Sequence, residues 1–149
     1  MLWILRYIGI TWHLCLWGRV CSWIIVTGMV AETKIVEVGG WEHECCGPAF
    51  ERDEVVELRC FEIHEGGDRA VRLVETHHDL SAAPDVVVRG RVVDISIRHT
   101  DGSIELLERL PSGRALRGFD AHDDGRLVRP WTGETVTADS DTFLVTIAS

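Results

Sequence analysis

The chain has 149 residues, enough for one domain with a real core and a squeeze for two. Its 15 Lys and Arg against 24 Asp and Glu give a formal charge of −9, which repels phosphate backbones and anionic lipid and argues against nucleic-acid binding. Five cysteines, an odd number, argue against a secreted disulfide framework and for a cytoplasmic setting.

Residues 1–28 differ in kind from the rest. They hold four of the six tryptophans, two arginines and no acid, so the remainder carries 13 cationic groups against 24 anionic ones. Three readings are open. Arg6 and the apolar run after it suggest an export or anchor segment, but His13, Gly18 and Arg19 interrupt that run, and an arginine at mid-bilayer is costly. An amphipathic helix would need a clean polar face, which is absent from this pattern. The third reading is an extension upstream of a natural start at Met29, and the composition break at Glu32 favours it. We therefore expect an apolar extension over 1–28 and a single domain over 29–149. A membrane partner is expected only if residues 1–28 are genuine.

From Met29 on, strand patterns dominate. Lys34–Val38 is a short apolar run that ends at Gly39-Gly40. Glu54–His64 is rich in Val, Leu, Phe and Ile, and a Gly66-Gly67 turn separates it from Arg69–His77. Val86–His99 is the clearest strand: Val93, Ile95 and Ile97 alternate with Asp94, Ser96 and Arg98, and Gly90 marks a bulge or bend. Thr100-Asp101-Gly102-Ser103 reads as a hairpin turn, with Ile104–Leu110 returning. Pro111-Ser112-Gly113 and Asp120–Gly125 are further turns. Arg89/Arg91 and Arg114/Arg117 read as exposed strand positions. Phe143, Val145 and Ile147 share one face of a last strand. No helix is expected after Met29. The fold class is all-β, a small SH3-like or OB-like barrel of roughly six to eight short strands.

The most unusual stretch is Trp41-Glu42-His43-Glu44-Cys45-Cys46-Gly47-Pro48-Ala49-Phe50, followed downstream by Cys60, His64 and His77-His78. Thiolates and imidazoles together suit tetrahedral zinc. The expected metal set is Cys45, Cys46, His77 and His78, with His43 or Cys60 as substitutes. A vicinal Cys45–Cys46 disulfide, or a cysteine nucleophile served by His43 or His77, is a second use. Against these stands simple packing: free cysteines behave as small buried hydrophobes, and Cys60 sits mid-strand. His99-x-Asp101 and His122-Asp123-Asp124 read as solvated loops. Trp41 and Trp131 could line a pocket, though a core or barrel-mouth role is more common for lone tryptophans. There is no phosphate-binding glycine loop and no Gly-x-Ser-x-Gly elbow.

Trp41-x-x-x-Cys45-Cys46-Gly47-x-x-Phe50, then Glu54-Val55-Val56, His77-His78 and Val88-x-Gly90-x-Val92-x-x-Ile95, resembles a small family of bacterial proteins of unknown function found mainly in actinobacteria. The resemblance spans roughly Lys34 to Ile97. It departs where the family has Gly-Asp and this chain has Arg52-Asp53. It implies a start near Met29 and a high-GC source, matching one lysine against 14 arginines, and it brings no activity or catalytic residue. The expectation is a non-enzymatic module that binds a protein or small molecule. The alternatives are a zinc- or thiol-dependent enzyme or sensor, and a membrane-tethered domain.

Overall fold

The computed structural model describes residues 32–64, 71–76, 83–138 and 142–149. The readings of residues 1–28 and of His77-His78 fall outside them. The fold is mainly β, as the alternating patterns predict. In chain order the elements are β1 (Thr33–Gly39), α1 (Gly40–Cys46), β2 (Phe50–Glu51), β3 (Val55–His64), β4 (Val71–Glu75), β5 (Val86–Arg98), β6 (Ile104–Leu106), β7 (Arg109–Leu110), α2 (Gly113–Leu116) and β8 (Thr142–Ala148).

The main sheet runs β3-β4-β1-β8-β5-β6, and β3 also pairs with β5. Pairing therefore returns to its starting strand: β3, β4, β1, β8 and β5 form a closed ring, with β6 added on β5. Only β1 and β4 pair in parallel, over Val36↔Leu73 and Glu37↔Val74. Closure depends on the length of β5. Its first half pairs with β3 (Cys60↔Val86 to Val55↔Arg91) and its second half with β8 (Arg91↔Ala148 to Arg98↔Thr142).

The handover between partners falls at Arg91, which pairs with both Val55 and Ala148, beside Gly90, where a side chain has no room. A Cβ there would lie 2.3 Å from the carbonyl oxygen of Ala148. Gly90 thus marks a close backbone approach. The pairing irregularity itself comes between Val92 and Asp94. That bulge corrects the expected alternation: Val92 is buried, Val93 turns outward, and Ile95 and Ile97 return to the core.

The ring encloses Val36, Val38, Leu58, Cys60, Val88, Val92, Ile95, Ile97, Phe143, Val145 and Ile147. Phe50, Leu107, Leu110, Leu127 and Val136 extend this core beyond the main sheet. β2 and β7 pair as a separate two-stranded ribbon, so the expected return strand Ile104–Leu110 is broken at Leu107-Glu108. The break has a cause: Leu107 N–H donates to Ile95 O at 2.8 Å, while Glu108 N–H turns to Val128 O at 2.9 Å. The hairpin before β6 forms as expected, with Gly102 at φ +85° and Arg98 paired to Ile104.

The expectation of no helix is corrected by α1 and α2. At seven and four residues, both are too short to stand alone. Ser112 caps α2 by accepting from Ala115 N–H at 3.2 Å. Arg114 and Arg117 therefore lie on a helical turn rather than a strand. Among the described residues no helix is long and apolar enough to cross a membrane.

Candidate functional site

The Trp41–Phe50 stretch forms a unit in which α1 follows directly on β1. His43 faces inward and is fully buried. Its ring Nε2–H donates to Pro111 O at 2.9 Å, which fixes the tautomer, since a carbonyl can only accept. The ring stacks on Phe50, centroids 6.1 Å apart, and tilts against Phe143 at 5.8 Å. Gly47 N–H returns to His43 O at 2.8 Å, and Gly113 N–H donates to Gly47 O at 3.0 Å. Arg117 Nη2 donates to Cys45 O at 3.0 Å. A Cβ on Gly47 would lie 2.2 Å from His43 Nδ1, and one on Gly113 would lie 1.9 Å from His43 O. Two glycines thus let α1 and α2 meet backbone to backbone over the buried imidazole.

With His43 inside, Cys45 and Cys46 fall on the exposed side of the last turn, both as free thiols. Local desolvation, a hydrogen bond with the Cys45 thiol, and the charges of Cys45, Glu42 and Glu75 push the Cys46 thiol above its ordinary value. Cys60 is buried in β3 opposite Glu75, as core packing predicts, and burial followed by that carboxylate pushes its thiol up to about 12. Neither thiol is held as a thiolate at neutral pH, which is the opposite of what a nucleophile needs.

Of the expected metal set, the structure brings Cys45 and Cys46 together. His77 and His78 lie outside the described residues. His43 is spent on Pro111 and Cys60 faces the core, so neither named substitute is presented beside the exposed pair. Among the described residues no three His, Cys, Asp or Glu side chains are grouped to hold a metal ion.

Two open clefts lie elsewhere. One, of about 620 Å³, is lined by Glu51, Arg109 and Asp120–Asp124. There Arg109 binds Asp123 bidentately, 2.5 Å on each arm, and with the Gly125 N–H holds its carboxyl down at about 2. The other, of about 360 Å³, is lined by His99, Glu105, Arg129 and Thr135–Thr137. His99 Nε2 lies 3.1 Å from Glu105, whose carboxylate also pairs with Arg129. Hydrogen bonds from Arg129, opposed by desolvation and aided by His99, keep Glu105 ionised below its ordinary range.

Trp41 and Trp131 are not core residues. They are 65% and 88% exposed, and Phe119 is 65% exposed. Arg117 lies over the Phe119 ring at 5.4 Å and Arg52 over the Trp131 ring at 5.7 Å. Sequence reasoning missed both arginine–aromatic pairs. The available signal was Pro130-Trp131-Thr132-Gly133, a turn composition with a tryptophan where a small polar residue is usual. No family model, no curated protein and no solved structure matches the chain.

Proposed function

We propose that the protein is a small β-barrel binding module, acting in the cytoplasm without catalysing a reaction, and engaging a protein or small molecule. The observation that carries this reading is the display of Trp41, Phe119 and Trp131 outside a closed core, two of them backed by an arginine on one ring face. Large aromatic side chains standing in water cost solvation, and loops on a rigid scaffold are where binding residues concentrate. The test is cross-linking of the full chain in its native lysate, read by mass spectrometry. Partners joined beside these aromatics in wild type and lost from W41A/F119A/W131A are expected. Cross-links indifferent to the substitutions would overturn the reading.

A second reading keeps zinc at Cys45, Cys46, His77 and His78. It is supported by the two exposed, mutually hydrogen-bonded thiols and by Glu75, whose charge reaches Cys46 two residues before His77 in the chain. Stoichiometric zinc lost in C45S/C46S would favour it. We further propose membership of the small actinobacterial family that shares the Trp-x-x-x-Cys-Cys-Gly-x-x-Phe pattern. The role of Gly47 and Phe50 in seating one buried imidazole supports treating that pattern as a unit.

A further inference from the structure

Cys45 and Cys46 are the thiols that α1 shows to solvent. Both are free, both lie in the last turn of the helix, and they are hydrogen-bonded to one another. A bond between their sulfurs would close a small covalent ring through both side chains and the peptide that joins them. An intact helix cannot hold that ring. Consecutive residues on a helix do not face each other. Their Cα atoms stand about 3.8 Å apart, closer than the roughly 4.4–6.8 Å of ordinary disulfides. Joining the sulfurs therefore turns the Cys45–Cys46 peptide and opens the last turn of α1. What that turn holds decides the consequence. The carbonyl of the joining peptide is Cys45 O, which accepts from Arg117 Nη2 at 3.0 Å. The same guanidinium lies 5.4 Å from the centroid of the Phe119 ring, and Phe119 is 65% exposed. Gly47, the residue after the pair, closes the turn with its N–H on His43 O at 2.8 Å, and its carbonyl accepts from Gly113 N–H of α2 at 3.0 Å. The two thiols thus sit on the joint through which α1 holds α2 and the arginine behind Phe119.

We propose that Cys45 and Cys46 form a reversible oxidation site, closed to a vicinal disulfide by a peroxide, and that closing it takes Cys45 O from Arg117 and withdraws the Phe119 surface. The Phe119 part of this rests on the binding-module reading; the disulfide itself does not. In the first step the Cys45 sulfur attacks one peroxide oxygen, the O–O bond breaks, and a sulfenic acid forms as water leaves. The Cys46 sulfur then displaces the sulfenic oxygen as a second water, and the S–S bond forms. Two thiols lose two electrons, the peroxide gains them, and both thiol protons end in water. Local desolvation, the hydrogen bond with Cys45 and the nearby charges hold the proton on Cys46, which suits it to the second step. A bond both strained and exposed is readily reduced, so a thiol such as glutathione reopens it.

The full chain, reduced and then treated with hydrogen peroxide, tests both halves. Trypsin releases the peptide Ile35–Arg52, which contains Cys45 and Cys46 and no other cysteine. After peroxide that peptide is expected to be lighter by two hydrogens and to resist alkylation, and glutathione should restore it. C45S and C46S, each at an exposed position, should abolish the mass loss. Amide exchange at Gly47 and Gly113, read by NMR, should quicken about tenfold in oxidised wild type and in neither variant. An unreacted pair, sulfinic or sulfonic acid at one cysteine beside a free neighbour, bridges only between chains, or a disulfide that leaves exchange at Gly113 unchanged would each overturn the proposal. Cross-links beside Phe119 in native lysate should fall about tenfold on oxidation. If they persist undiminished, the coupling to Phe119 is wrong and the module reading stands. If aromatic-dependent cross-links are absent from both states while the disulfide and the faster exchange appear, the module reading fails and the oxidation site stands.

Discussion

Gly47 stands where no side chain fits. A methyl group there would press to 2.2 Å from the buried imidazole of His43, whose other nitrogen is anchored on Pro111 O. G47A is therefore expected to lower stability by about 2 kcal/mol, the range of forced overpacking, as read from urea midpoints. An unchanged midpoint would show that the loop yields at no cost. Asp123 presents a different residue-scale case. Its carboxyl is held at about 2 in the fold, chiefly by Arg109. A depressed carboxylate contributes stability above its unfolded value near 4, and that contribution is lost as pH falls from there through about 2. Because the pair lies at a solvated cleft, its worth is discounted to about 1 kcal/mol. D123N should cost that much at pH 7, and the gap between variant and wild type should close in denaturation curves taken progressively below pH 4. A gap that stays constant with pH would show that the pair contributes through packing alone.

At the scale of elements, alternation made the strands legible. β1, β3 and β8 lie where apolar periodicity places them. The helices were not legible, because seven and four residues give no helical period and α1 is held by contacts from far along the chain. The His43–Pro111 bond spans 68 residues. For the same reason the cysteines attracted notice in a motif whose buried anchor is the histidine. The inward turn of Val92 was hidden by a bulge that only strand pairing reveals. The weakest seam of the ring is the parallel pairing of β1 with β4, only two residue pairs long. It is strapped from outside by Glu37, which receives Arg72 Nε at 2.9 Å and Nη2 at 2.5 Å from β4, and Arg98 Nη2 at 2.9 Å from β5. Desolvation works against the charge on Glu37, but the two arginines prevail and hold its carboxyl below the ordinary range. E37Q is expected to speed amide exchange selectively in β4 and to cost about 1–2 kcal/mol. Uniform acceleration across all strands would show that β4 has no local opening of its own.

At the scale of the molecule, the two strands most distant in sequence form one of its longest seams. β1 and β8 pair from Thr33↔Ala148 to Gly39↔Thr142, and Ser149 N–H donates to Glu32 O at 3.0 Å. β8 also pairs with β5 along its other edge, so it closes the ring between β1 and β5. A fold dominated by such non-local pairings is expected to form slowly, in milliseconds to seconds, and only after the last strand is available. Removing β8 takes Phe143, Val145 and Ile147 from the core, each a burial of about 1.5–3 kcal/mol. Their sum is comparable to the whole stability of a domain this size, about 5–15 kcal/mol. It also leaves β1 and β5 as open edges able to pair with other chains. The chain ended at residue 141 should therefore show no cooperative thermal transition, poorly dispersed amide signals and a tendency to aggregate. The chain ended at Ile147 keeps all three core side chains and most of both seams, and it should melt cooperatively at a modestly lower temperature. A cooperative transition in the shorter chain would mean that the remaining strands close without β8, and that the ring is not the unit that folds.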